Sequence, residues 1–424
     1  TAYEILPSLV GSQMCIRHSI TTLNDCFMDA GNITWLLVAS ALVMFMTPGL
    51  AFFYGGLVRA KNVLSIMMHC FTILAVVSIT WILWGYSLAF GTSIAGVVGS
   101  LEHLVLTGVV GAESQTFMVF QMMFAIITPA LIVGAIADRF KFSSLIAFVI
   151  LWSTFVYSPI AHWVWAEGGW LFNMGALDFA GGTVVHISSG FSALVAAIII
   201  GKRTGKITGE PHNVPYVLLG TAMLWFGWFG FNAGSALAAN DQAVSAFIVT
   251  NTAAAAGGLM MMLLSYRSTG KPSVVMLAVG AVAGLVAITP ASGFVGPMAA
   301  ILIGAGVGLI SHFAIQFKNS KGWDDALDVW AVHGMGGLWG ALATGLFASA
   351  AIGGTDGVFM GGSISVFTNQ IIAVVATIAY AGILTFVILK ILDQTIGLTV
   401  KSSDEESLDT VSYTHLTLPT ILLV

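Results

Sequence analysis

The sequence predicts an all-α, multi-pass membrane protein with eleven transmembrane helices, arranged as two inverted five-helix repeats plus a C-terminal helix. Three observations carry this. First, 58% of the 424 residues are hydrophobic and only 8% are charged, where a soluble domain carries about a quarter charged residues, and the mean hydropathy is +0.96. Second, windows of about 20 apolar residues recur along the chain. Third, the loop charges alternate in sign from one connection to the next.

The windows fall near 33–57, 63–92, 115–137, 143–165, 180–201, 214–238, 245–266, 273–290, 294–317, 326–352 and 366–396. Residues 93–114 are apolar but broken by Gly and Glu, and read as a surface hairpin after the second span. The chain divides into an extracytoplasmic N-terminal segment (1–31), a transmembrane domain (32–397) and a cytoplasmic tail (398–424). Segments 11–20 and 410–424 match neither their surroundings nor any capping pattern. They read as translated adapter sequence. The N-terminus shows no basic region ahead of a clean apolar core, so no signal peptide is expected.

Basic residues follow the odd-numbered spans: Arg59 and Lys61, Arg139 and Lys141, Lys202, Arg203 and Lys206, Arg267 and Lys271, Lys318 and Lys321, with Lys390 and Lys401 at or beyond the end of the eleventh. The opposite loops carry Glu102, Glu113, Glu167, Asp241 and Asp356. Only Arg17 departs from this division. The positive-inside rule then places the N-terminus outside and the C-terminus inside the cell membrane. A missed span would have scrambled the alternation.

There are 48 glycines. The small-xxx-small pairs Gly280/Gly284, Gly304/Gly308 and Gly336/Gly340 predict closely approaching helices. The three cysteines, Cys15, Cys26 and Cys70, have no metal-ligand spacing, and no metal or cofactor is expected.

Two histidines, His186 and His333, stand in mid-span, in GGTVVHISSGFSALVAAIII and VWAVHGMGGLWGALATGLF. Ionisable side chains at this depth usually line a polar path. The fifth span runs inward and the tenth outward, so the pair occupies equivalent places in inverted halves, with a site between them. Neutral imidazoles offer one donor and one acceptor each. That suits a small polar solute or a proton better than a bare cation. Asp178 and Asp328 lie just ahead of the two histidine helices. Asp178 reads both as a helix cap and as the source of a negative outer mouth. Asp328 reads as a cap at the inner end. Aromatic-rich segments at 120–129, 158–170 and 225–235 lie near outer span ends. Trp163 and Trp170 read as interfacial belt residues, while an aromatic cluster beside an acidic mouth can also attract a small cation.

At these residues the chain resembles the ammonium transporter (Amt/Mep/Rh) family, as a microbial Amt-type member. The resemblance runs from about residue 32 to about 409. It is most specific in DFAGGTVVHISSGFSALVAAIIIGKR (178–203), with support from PGLAFFYGGLVRAKN (48–62), FAIITPALIVGAIADR (124–139), WFGWFGFNAGS (225–235) and DVWAVHGMGGLWG (328–340). It implies a homotrimer with one path per subunit. It also implies an outer recruitment site for ammonium at Phe124, Trp165 and Ser235, supported by Asp178. Phe124 and Phe231 would form a gate, and His186 and His333 the pore. A PII-type regulatory protein would be a partner on the cytoplasmic face, through a tail beginning GLTVKSSDEESLD (397–409). The expected function is ammonium uptake with net transfer of charge. Alternatives are an electroneutral ammonia channel, or an ammonium sensor working through a separate partner. No nucleophile, paired carboxylate or metal cluster supports a membrane enzyme.

Overall fold

The computed structural model describes residues 29–204 and 210–411. Cys15, Cys26, Arg17, Lys206, segment 11–20 and the end of the chain from 412 lie outside the described residues. Helices dominate: α1 (Ala30–Leu57), α2 (Ala60–Phe90), α3 (Ala112–Ile136), α4 (142–165), α5 (Gly182–Ile200), α6 (Val214–Gly234), α7 (Asp241–Thr269), α8 (Val274–Ile288), α9 (Pro297–Lys321), α10 (330–347) and α11 (Ile364–Thr395). Nine of these are long and apolar enough to cross a membrane among the described residues. The remaining two, α8 and α10, are shorter. The helices begin where side chains can satisfy orphan N–H groups: Asp29, Asn213, Asn240, Ser273 and Ser363 each accept from the first turn of α1, α6, α7, α8 and α11. The segment expected as a surface hairpin contains a small antiparallel one, Ser93–Ile94 paired with Val98–Gly99.

The small-residue stripes act as expected. A Cβ on Gly280 would lie 2.5 Å from the Gly257 carbonyl of α7, and one on Gly284 or Gly304 would overlap the Ala253 backbone. Gly340 meets the Ala287 backbone of α8 in the same way. Dispersion between backbones, rather than exclusion of water, holds helices together in lipid.

Loop contacts sort the connections onto two faces. On one, Arg59, Asp138, Arg203 and Asp324 meet in ion pairs: Arg203–Asp324 at 2.8 Å, Arg203–Asp138 at 3.4 Å and Arg59–Asp138 at 3.9 Å. Arg139 is buried beneath them, donating to the carbonyls of Ala135, Ala137 and Asp324. On the other face, His162 holds the Ala89 carbonyl and the Ser93 hydroxyl, Trp163 donates to Val97, and Gln242 donates to Gly293. The Trp163–Val97 bond gives that ring a packing role in addition to the interfacial one expected for it.

Residues 396–411 lie across the first face. Val400 pairs with Arg139, and the Lys141 amide with Leu398. Glu405 accepts from the Thr204 amide and hydroxyl. Asn62 donates to Glu405 and accepts from Leu408. Asp409, in the short helix α12 (Leu408–Val411), accepts from the Leu64 and Ser65 amides.

Candidate functional site

The site is built on two helices that start in the same irregular way. Helix α5 opens at Gly181, whose φ of +114° suits a residue without a side chain. It then runs as a π-turn over Gly182–Ile187 before settling into α geometry. Helix α10 opens with a π-turn over Trp330–Gly334. π-turns cluster at functional positions because the widened turn frees backbone groups and re-aims side chains. Each turn carries one of the two histidines.

Asp178 anchors the first. Its carboxylate accepts from the amides of Gly181 (2.9 Å), Gly182 (2.5 Å), Thr183 (2.7 Å) and Val184 (3.3 Å), and from the Thr183 hydroxyl. Burial pushes this carboxyl above the ordinary range, against the pull of those donors. A carboxylate facing a helix start also meets the positive end of the helix dipole. Its role as a helix cap is thus realised. It is only 8% exposed, so it meets its surroundings through the backbone it holds and through its field.

The second anchor is Asp325, which the sequence reading passed over in favour of Asp328. Asp325 accepts from the Val329 and Trp330 amides at 3.0 and 2.7 Å. Asp328 instead takes a positive φ of 59° and pairs with Lys318 at 2.5 Å. The signal that could have found Asp325 is its spacing: it precedes His333 by eight residues, as Asp178 precedes His186.

The two helices cross at glycine. A Cβ on Gly190 would overlap the Gly334 backbone, and one on Gly337 would sit 3.0 Å from the His186 Cβ. This brings the imidazoles together, Nδ1 to Nδ1 at 3.3 Å, with ring centroids 5.3 Å apart. One ring must donate and the other accept, so the accepting ring carries its proton on Nε2. Among the described residues, the His186 Nε2 is buried and finds no partner.

Aromatic rings continue from the pair. His186 stacks at 5.5 Å on Trp228 and 6.0 Å on Phe231. Phe231 lies 4.3 Å from Phe124, and both are essentially inaccessible to solvent. Phe124 meets Trp165 edge-to-face at 5.8 Å. The Trp165 indole donates to the Asp178 carbonyl at 3.0 Å, which ties the ring to the anchor of α5. Ser235 lies one turn beyond Phe231 and donates to its carbonyl at 2.8 Å. The order of rings is therefore Trp165, Phe124, Phe231, His186, His333. Trp228, held by the Thr289 hydroxyl at 2.9 Å, was not singled out from sequence, although it stands three residues before Phe231 in the quoted segment.

On the far side of Phe231 lies a cavity of about 830 Å³. Phe231, Trp228 and the two histidines line one end; Leu50, Leu131 and Val279 line its length; Arg59, Arg203 and Ser403 lie at the other end. Phe124 and Trp165 do not line it. Two buried phenyl rings therefore stand between the Trp165 ring, tied to the Asp178 anchor, and a long chamber. The chamber's polar groups near the rings are the imidazoles.

Comparison with known proteins agrees across nearly the whole chain. The family model described as the Ammonium Transporter Family matches residues 34–417. The ammonium transporter Amt1 of Archaeoglobus fulgidus is 49% identical over 380 residues, covering 89% of this chain and 96% of that protein. The ammonium transporter of Bacillus subtilis is 48% identical over 390 residues, covering 89% and 95%. Among solved structures, Saccharomyces cerevisiae Mep2 superposes with a TM-score of 0.84 at 38% identity, covering 89% of this chain and 88% of that one. A structure described as a sensor Amt protein gives a TM-score of 0.84 at 30% identity, covering 91% and 98%.

Proposed function

Because the chain belongs to the ammonium transporter family, we propose that it recruits ammonium at Phe124, Trp165 and Ser235, removes a proton there, and conducts ammonia past His186 and His333. The observation that carries this reading is the imidazole pair. It is held at 3.3 Å directly behind two phenyl rings in contact at 4.3 Å and at the head of an apolar chamber.

Passage of the intact ammonium ion through such a path is prohibitive. A bare cation in a dry apolar passage costs on the order of tens of kcal/mol. Ammonium titrates about two pH units above neutrality, so losing its proton at pH 7 costs only about 3 kcal/mol. The route of least cost binds the cation on aromatic faces, splits it, and passes the neutral base. Potassium has no proton to lose and is rejected. The histidines supply a donor and an acceptor to ammonia in transit and a relay for the proton, which makes uptake electrogenic.

We read α8 and α10 as spans too, giving eleven. The loops they join lie on opposite faces, and the Asp–π-turn–His arrangement recurs in α5 and α10, as two inverted five-helix repeats require. The ion-paired face carrying Arg59 and Arg203 is then cytoplasmic and the N-terminus is outside the cell membrane. A homotrimeric assembly and a PII-type partner at the cytoplasmic face complete the reading and rest on the family alone.

The test is current and internal pH in vesicles holding purified protein, after a jump in ammonium at neutral pH. A saturable current with ammonium, absent with potassium, is expected. Internal alkalinisation without current would replace this reading with an electroneutral channel. The resemblance to a sensor protein favours a second reading, to which the absence of both signals in folded protein would lead.

A further inference from the structure

Helix α11 carries an amide in an otherwise apolar run, NQIIAVVATIAY. Gln370 is 1% exposed. A buried amide in lipid is costly unless its polar atoms are paired. An apolar side chain of the same length would pack there without that cost. Here every donor is used. Nε2 donates to the Leu177 carbonyl at 2.7 Å and to the Ala341 carbonyl at 2.9 Å, while Oε1 accepts from the Leu177 amide at 2.7 Å. Both backbone groups of one residue are held by one planar amide, the pattern of a strand neighbour. This fixes both the height and the rotation of the chain at Leu177. Asn369 adds a bond to the Met174 carbonyl at 2.7 Å.

What hangs from that point is the site. The next residue is Asp178, whose carbonyl receives the Trp165 indole and whose carboxylate starts the helix of His186. Ala341 lies on α10, eight residues past His333. One side chain thus references the Trp165 ring and both histidine helices to α11.

We propose that Gln370 is a positioning residue for ammonium affinity: it sets the placement of Asp178 and, through it, of the Trp165 ring. This rests on the reading of Phe124, Trp165 and Ser235 as the recruitment site. Gln370 touches no substrate. Its loss should therefore weaken binding equally in ground and transition states, which raises half-saturation and spares the maximal rate.

The experiment measures initial ammonium uptake against concentration in vesicles for wild type, Gln370→Met, Gln370→Glu and Trp165→Leu. Methionine keeps the length and removes every hydrogen bond; glutamate keeps the acceptor for Leu177 and loses both donors. Half-saturation should rise at least about fivefold in both Gln370 variants, with the maximal rate within about twofold of wild type. Wild-type half-saturation in Gln370→Met, with Trp165→Leu raised, overturns the inference and leaves the recruitment site standing. No change in Trp165→Leu overturns the recruitment site itself. A lower maximal rate at unchanged half-saturation assigns Gln370 to the fold or the pore and also overturns the inference, as does failure of both Gln370 variants to fold.

Discussion

Asp178 and Asp325 stand in one relation to their histidines: each lies eight residues upstream and each accepts from backbone amides at the start of a π-turn that carries the imidazole. The second relation supports the first, since two unrelated loops would have no reason to share it. Asp178→Asn should lower stability by about 2–4 kcal/mol, because hydrogen bonds to a charged acceptor are lost at one oxygen and weakened at the other. Thermal unfolding in detergent checks this, with Thr183→Val, which removes only the hydroxyl bond, as the milder comparison.

The imidazole pair predicts selectivity. Replacing either His186 or His333 with Ala should reduce the ammonium-over-potassium ratio of uptake currents by about tenfold or more, since about 1.4 kcal/mol of discrimination is a factor of ten. An unchanged ratio in both variants would remove the role assigned to the pair.

Phe231 is in contact with Phe124, Trp228 and His186 and has no solvent exposure. Phe231→Ala should cost about 3–5 kcal/mol through the cavity it leaves. It should also let water reach His186, so that potassium begins to carry current. Potassium current in Phe231→Ala at the wild-type background would mean that the phenyl pair is not a barrier.

The crossing of α5 and α10 has no room for a methyl group at Gly190. Gly190→Ala must part the helices, and with them the imidazoles. Uptake should fall by about tenfold or more. Gly382→Ala, where the nearest neighbour is 3.8 Å away, should transport as wild type does.

Burial pushes the Asp325 carboxyl up to about 6 from 3.8, helped by nearby Asp328 and opposed by Lys318 and the Val329 and Trp330 amides. The folded state therefore binds this proton more tightly than the unfolded chain. Stability from this group is full below about pH 4 and is lost as pH rises to about 6, by about 3 kcal/mol. Asp325→Asn should flatten that part of the unfolding temperature's pH profile between pH 4 and 7. A profile identical to wild type would show that Asp325 does not titrate there.

The long apolar windows and the alternating loop charges were readable because each is a sum over many residues. The histidine pair was readable because a histidine in mid-span is conspicuous. Asp325 was missed because Asp328 sits closer to the helix and drew the capping role; only the eight-residue spacing to His333, shared with Asp178 and His186, pointed past it. The π-turns left no trace in composition: one extra residue per turn shifts a register without changing polarity. Gln370 was passed over because its partners are main-chain groups of residues 177 and 341, which no pattern within α11 could reveal.

The seating of residues 396–411 on the first face has a consequence for biosynthesis. A chain is made from its N-terminus at about 5–20 residues per second. Asn62, Thr204 and the Leu64 and Ser65 amides emerge long before Glu405, Leu408 and Asp409 exist to pair with them. Until then water or a chaperone must serve those groups, and the helices can be inserted while this face is unfinished. Closure of this face thus waits for residues 396–411, and a nascent protein stalled before about residue 400 would be inserted yet unclosed, a species that quality-control proteases could tell from one whose face is closed.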